Sequence, residues 1–238
     1  MKAPRVDSEL RFSLFKTRFH TQISDFRTSL DIINSATEEV KNSLALKDIM
    51  KKIMYLENMM NQGTARGMEL YIVMHHLLKL TDSPAANRKM TSFMHYLCKV
   101  LASKSPDLLH FHKDFVHLEA ASKDTTKPLA EEMQTIIQGL EKVKQELAAS
   151  ENDCPVSEIS HKTLKEFIGA AQPEVSSVIN LYSAVGRNAD ALSLYFGEDP
   201  AKYWFEQVTA TLVSFVRSFQ KAHEENCKQG FEKERGEC

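Results

Sequence analysis

The sequence predicts an all-α fold, an elongated multi-helix bundle, on three observations. Apolar residues recur at steps of three and four along almost the whole chain. Eight Gly and seven Pro among 238 residues are too few for a loop-rich β sandwich or for disorder. Hydrophobic residues at 42% beside charged residues at 26% fit a mixed surface around a real core. A chain of this length buries that core as one long domain or two small ones.

The elements follow in order. Phe15, Phe19, Ile23, Phe26, Leu30 and Ile33 predict one long helix, or two in series, from about Ser8 to Ser43. Leu46, Ile49, Met50, Ile53, Met54 and Met60 continue the period in a next helix. It breaks at Asn61-Gln62-Gly63, where Gly63 suits the position just past a helix end. From Gly67 to Leu80 the chain is apolar on most faces. Met90, Phe93, Met94, Leu97, Cys98 and Leu101 form a clean stripe.

Ser105-Pro106 predicts a helix start, with the hydroxyl as cap and Pro at the first position. Leu108, Phe111, Phe115 and Leu118 are its expected apolar face. Leu129, Met133, Ile136, Leu140, Val143 and Leu147 make a coiled-coil-like seam that is short for a free coil and packs on neighbouring helices. Cys154-Pro155 and Gln172-Pro173 punctuate the next region. Val175, Val178, Ile179 and Tyr182 predict a helix ending near Gly186. Asp199-Pro200 is read as the start of the last helix, with Trp204, Val208, Leu212, Phe215 and Phe219 buried. After Ala222 the chain is charged, and that helix is expected to run into solvent and fray.

Composition and motifs narrow the function. A net charge of −2 gives no general drive toward nucleic acid or anionic membrane. Lys and Arg are dispersed, without a basic stripe interleaved with aromatics, so no nucleic-acid partner is expected. No apolar run approaches the roughly 18 residues that span a bilayer. Met1 to Glu9 is charged and carries no secretory h-region. Cys98, Cys154, Cys227 and Cys238 are widely spaced without a C-x-x-C pair, which predicts reduced thiols in a cytoplasmic protein. Cys238 lacks prenylation-box spacing.

His110, His112 and His117 lie close together and His75-His76 is a pair, but these spacings do not share a helix face. No metal site and no cofactor are therefore expected. There is no G-x-S-x-G elbow and no Gly-rich phosphate loop. Residue chemistry alone leaves a helical bundle that binds or assembles, with no catalytic residues and no enzyme activity expected.

Four ordered stretches carry a resemblance. They are Leu56-Glu57-Asn58-Met59-Met60-Asn61-Gln62-Gly63-Thr64-Ala65-Arg66-Gly67, then Lys89-Met90-Thr91 with Met94-His95-Tyr96-Leu97-Cys98-Lys99. Next come Asp114-Phe115-Val116-His117-Leu118-Glu119-Ala120-Ala121-Ser122-Lys123 and Gly186-Arg187-Asn188-Ala189-Asp190, the last continuing to Leu194-Tyr195-Phe196-Gly197-Glu198-Asp199-Pro200. In this order and spacing the chain resembles the formin homology-2 domain, the actin-assembly domain of formins, and most of all the plant class II type.

The resemblance implies a partial domain over residues 1–225, comprising the end of the knob, the coiled-coil region and the post, with 226–238 as a charged tail. It implies a cytoplasmic, cytoskeleton-associated protein whose partners are actin and other formin homology-2 chains. Complete domains form head-to-tail dimers around the filament barbed end, nucleate filaments and track the growing end. The lasso of one subunit wraps the post of the other, in a pocket built by a Gly-Asn-Tyr/Phe-Met-Asn motif. Here that motif reads Glu57-Asn58-Met59-Met60-Asn61: Asn58, Met60 and Asn61 match, while Glu57 replaces glycine and Met59 the aromatic. Leu56, Gly63 and Tyr71 complete the expected dimerisation pocket. Tyr71 begins Tyr71-Ile72-Val73-Met74, where the family has Gly-Phe-Lys/Arg-Leu, and a basic residue implicated in actin contact is replaced near Pro84. Tyr195, Phe196, Gly197 and Glu198 are the expected post motif. The resemblance places the lasso and most of the knob before Met1, so this chain alone is expected to nucleate weakly or not at all. The alternative is a helical scaffold, or a dominant-negative partner that takes the lasso of intact formins without binding actin.

Glu57 can also be read without the family. It continues the row Leu46, Met50 and Ile53 on the apolar face. A carboxylate there must find a partner, reach solvent or protonate; the expected outcome is that it snorkels out at the helix end.

Overall fold

The stripes fold as helices in a computed structural model, which describes residues 4–61, 74–81, 88–123, 126–150 and 158–236. In chain order these are α1 (Pro4–Asn42), α2 (Leu44–Asn61), α3 (Met74–Thr81), α4 (Arg88–Lys104), a 3₁₀ segment (Pro106–Asp114), α5 (Leu118–Ala121), α6 (Thr126–Ser150), α7 (Glu158–Tyr195) and α8 (Phe205–Gly236). The described residues contain no strand. The fold is all-α. None of these helices is long and apolar enough to cross a membrane.

The chain forms two compact units, Met1–Asp31 with Thr125–Arg187 and Ile32–Asp124 with Asn188–Cys238. The first unit is built from three long apolar stripes. Phe19, Ile23, Phe26 and Leu30 of α1 are buried, as are Leu129, Met133, Ile136, Leu140 and Val143 of α6. From α7 come Leu164, Phe167, Ala171, Val175, Val178 and Val185. The Phe167 ring is the hub: Phe12, Phe15 and Phe19 each meet it near edge-to-face, at 5.6, 6.0 and 5.4 Å between centroids. Gly139 lets α6 approach the Phe15 ring closely, since a Cβ there would collide with it.

One expectation fails in this unit. Pro173 and Gly186 do not end a helix; α7 continues through both to Tyr195. Proline removes one intrahelical bond and crowds the carbonyl four residues back. Buried Ala171, Val175 and Val178 hold the helix across that defect by packing.

The second unit is arranged on α8, against which α3, α4 and α5 pack. Phe111, Phe215 and Phe219 form its aromatic centre; Phe111 meets Phe219 at 5.0 Å with the rings nearly perpendicular. Here three more expectations are corrected. Ser105 precedes the helical segment with Pro106 at its first turn, but its side chain makes no capping bond and the segment is 3₁₀. Its winding of about three residues per turn moves burial to Leu109 and Phe111, leaving Leu108 and Phe115 half-buried. Asp199-Pro200 opens a separate turn, with the Asp199 carboxylate accepting the Ala201 N–H at 3.0 Å, and α8 begins only at Phe205. Trp204 therefore stands before the helix, 48% exposed, whereas Val208, Leu212, Phe215 and Phe219 are buried as expected. The Gln207 side chain reaches back to the Trp204 N–H at 3.1 Å and closes the α8 N-terminus.

Candidate functional site

Both sets of site residues singled out in the sequence belong to the second unit. The first lies at the C-terminal end of α2. That helix runs on from α1 with one break, at Ser43, whose hydroxyl accepts the Leu46 N–H at 3.0 Å and donates to Asp114 Oδ2 at 2.7 Å. One turn earlier, the Glu39 carboxylate accepts the backbone N–H of His117 at 3.0 Å and meets its ring Nδ1 at 2.7 Å. The α1–α2 junction is thus stapled twice to the corner after the 3₁₀ segment, and this sets the direction of α2.

Along α2, Leu46, Ile49, Ile53 and Leu56 are buried. Glu57 and Asn58 are half-buried and Met59 is 54% exposed. Glu57 lies within the last turn before Asn61. Met60 and Asn61 end the helix. Gly63 and Tyr71, like the glycine stop, the residue near Pro84 and Cys154-Pro155, lie outside the described residues.

The second set closes α7. Gly197 has φ 72°, the left-handed region open to glycine. Its N–H bonds the Leu194 carbonyl at 2.9 Å and the Glu198 N–H bonds Ser193 at 3.0 Å, the paired pattern of a Schellman stop. Phe196 is buried under this turn, with the Tyr195 ring perpendicular to it at 5.1 Å. The Ser193 hydroxyl donates to the Tyr203 carbonyl at 2.9 Å, which folds the following turn back on the helix end. Tyr195 is 40% exposed, and Lys47 Nζ stands 6.0 Å above its ring. Burial pushes the Tyr195 phenol above its ordinary range, and nearby Lys51 pulls it partly back.

The turn at Tyr195–Glu198 therefore lies beside the first half of α2. Lys47 to Asn58 spans about 16 Å of helix at ~1.5 Å per residue, which separates the Lys47–Tyr195 contact from the Glu57–Asn58 end of α2.

The stretches beyond these two sets have structural work that spacing along the chain did not show. His95 of α4 meets Glu225 of α8 at 2.8 Å, and the Asn226 amide donates to the His95 carbonyl at 2.9 Å. The Cys98 thiol lies 3.7 Å from the Phe219 carbonyl, and burial pushes its pKa up to about 12. Asn188 donates to Asn34 at 2.8 Å, and Arg217 and Lys123 both engage Glu119. Glu119 is held below the ordinary carboxylate range by these two cations, Lys123 first. The histidine–carboxylate pairs join residues far apart in sequence, so helical spacing could not reveal them. His112 Nδ1 is buried without a hydrogen-bond partner among the described residues, and burial and then neighbouring His110 hold its pKa down. Among the described residues, no group of three or more His, Cys, Asp or Glu side chains is placed to hold a metal.

What the unit offers is surface. Tyr55 and Met59 on α2, Leu194 and Tyr195 at the end of α7 and Trp204 before α8 are large apolar side chains left in solvent.

Comparison with known proteins agrees in extent with these two units. The family profile described as Formin Homology 2 Domain matches residues 1–220. Formin-like protein 20 of Arabidopsis thaliana is 61% identical over 229 residues, covering 96% of this chain and 14% of that protein. Formin-like protein 6 of Oryza sativa subsp. japonica is 59% identical over 229 residues, 96% of this chain and 17% of its own length. Formin-like protein 17 of Arabidopsis thaliana is 56% identical over 238 residues, 100% of this chain and 48% of that protein. The chain thus spans less than half the length of each of these three relatives.

Proposed function

The chain belongs to the formin homology 2 domain family, and on that premise we propose that it serves actin-filament assembly in the cytoplasm, as a non-enzymatic part of the cytoskeletal machinery. The match over residues 1–220 carries this reading. The first unit supplies the coiled-coil region and the second the post. On its own, this polypeptide binds actin weakly and nucleates poorly. The support is local: Glu57 brings a carboxylate, and Met59 an exposed flexible side chain, into the segment that forms a glycine- and aromatic-lined pocket in the family. Actin co-sedimentation and pyrene-actin assembly with purified chain test this. Weak pelleting with little acceleration of assembly is expected, and strong nucleation overturns the claim of weakness. No pelleting at any concentration overturns the actin reading itself.

A second reading has an observation of its own. Leu194, Tyr195 and Trp204 leave apolar surface exposed around the Gly197 turn. Such a surface suits the lasso of another formin homology-2 chain, and the protein then acts as a partner that occupies intact formins. Mixing it with a complete plant formin homology-2 dimer should slow that dimer's nucleation and give a mixed species on size exclusion. Unchanged nucleation and elution reject this reading.

A further inference from the structure

The fold assembles a basic groove that the linear sequence hides. It lies between the first half of α2 and the corner where α4 meets the 3₁₀ segment, with a volume of about 580 Å³. Asp48, Lys51 and Lys52 line one side; Lys104, Ser105, Pro106, Asp107 and Leu108 line the other. Lys51 and Asp48 already pair across one turn at 3.0 Å. Among the described residues, neither Lys52 nor Lys104 has an ion-pair partner, and Lys47, one turn before Lys51, lies over the Tyr195 ring. Three lysines, Lys51, Lys52 and Lys104, thus line the groove with two aspartates on a chain whose net charge is −2.

We propose that this groove receives an acidic segment of a protein partner that also carries an aliphatic or aromatic anchor residue. Charge complementarity sets the acidic part: with Asp48 engaged by Lys51, the cations free to meet a ligand are Lys52 and Lys104 on opposite walls. The lining sets the anchor. Pro106 and Leu108 give the groove an apolar wall, and Leu44, 73% exposed, stands one turn before Asp48 on the same helix. A uniformly charged polyanion gains nothing from that wall. Its two aspartates also repel a dense row of phosphates, whereas a peptide can place carboxylates against the lysines and an apolar side chain between them. The proposal goes beyond the filament-assembly reading, because it concerns a groove that the family motif residues do not line.

The test is selection of a random dodecapeptide display library on the full chain, with the Lys52→Glu/Lys104→Glu variant as counter-target. Enrichment of peptides combining Asp or Glu with Leu, Ile or Phe is expected. Synthetic copies should bind the wild type and lose about tenfold or more in affinity on the charge-reversed variant. A Lys52→Gln/Lys104→Gln variant should give an intermediate loss, and all three proteins should share one helical circular-dichroism spectrum. Selected peptides without acidic enrichment, or with affinity unchanged by both variants, overturn the proposal. So does binding to vesicles containing phosphatidylserine that the same variants abolish while no peptide is enriched, since the groove then serves an anionic surface. Neither readout involves actin, so failure here and failure of the filament assays are distinguishable.

Discussion

The two units are held by different means. The first is cemented by long, regular apolar seams, with the Phe167 ring touched by three phenylalanines of α1. The second has its own aromatic centre at Phe111, Phe215 and Phe219, but its shorter elements are pinned by polar bonds between residues distant in sequence. Seams tolerate local faults, as Pro173 inside α7 demonstrates. Pinned corners depend on single side chains. Regular seams suit a spacer, and pinned corners suit a surface whose turns must be held in place.

The largest effects should come from the two aromatic centres. Phe19→Ala and Phe219→Ala each empty a fully buried site and should destabilise by about 3–5 kcal/mol. They should differ in what they loosen. Cys98 contacts the Phe219 backbone and keeps its proton to about pH 12, so it should resist iodoacetamide at pH 8 in the native protein, because the thiolate is the reactive form. Phe219→Ala should speed Cys98 labelling, and Phe19→Ala should leave it slow. Equal acceleration by both would mean that the units open as one.

The seams carry the next prediction. Pro173→Ala restores an N–H to the middle of α7 at an exposed position. It should stabilise the first unit by about 1–3 kcal/mol, less than or equal to the full helix-interior penalty of proline. A fall in melting temperature would show that the proline sets a bend on which the packing depends. The corners run the other way. Ser43→Ala removes both the cap of α2 and the bond to Asp114, and should cost the second unit about 1–2 kcal/mol. A double-mutant cycle with Asp114→Ala isolates the Ser43–Asp114 bond and should show coupling between the two positions.

The same contrast explains what the sequence could reveal. The seam Leu129, Met133, Ile136, Leu140 and Val143 is buried as its three–four alternation predicts, because period and burial are one property of an α-helix packed along its length. The errors fall where something other than period decides. Pro173 and Gly186 looked like stops, but tertiary packing overrides local propensity in a long helix. Leu108 and Phe115 looked like a buried face, but the segment winds as 3₁₀. At the candidate site, Leu56–Asn61 and Tyr195–Glu198 were singled out by motif, and the structure puts the first in the last turn of α2 and the second at the glycine stop of α7, which spacing had set near Gly186. The groove of Lys51, Lys52 and Lys104 was not legible, because its walls are brought together only by the fold. A hint existed in Lys47, Lys51 and Lys52, which recur at four and five residues along α2.

Two glycines of α7 provide the smallest and sharpest comparison. Gly186 looked like a stop and lies inside the helix of the first unit, with nothing within 4 Å of the place a Cβ would take. Gly197 ends the same helix in the second unit at φ 72°. Gly186→Ala adds a methyl in open space and lowers the entropy of the unfolded chain, so it should stabilise by about 0.5–1 kcal/mol. Gly197→Ala forces an L side chain into the left-handed region, where the cost is about 1–2 kcal/mol, and strains the turn that buries Phe196. The opposite signs follow from one residue type in two backbone states, so paired thermal melts of the variants are the readout. Two stabilising results would mean that the Gly197 turn relaxes without strain, and the ordering of Tyr195 against Lys47 would then need another source than the helix stop.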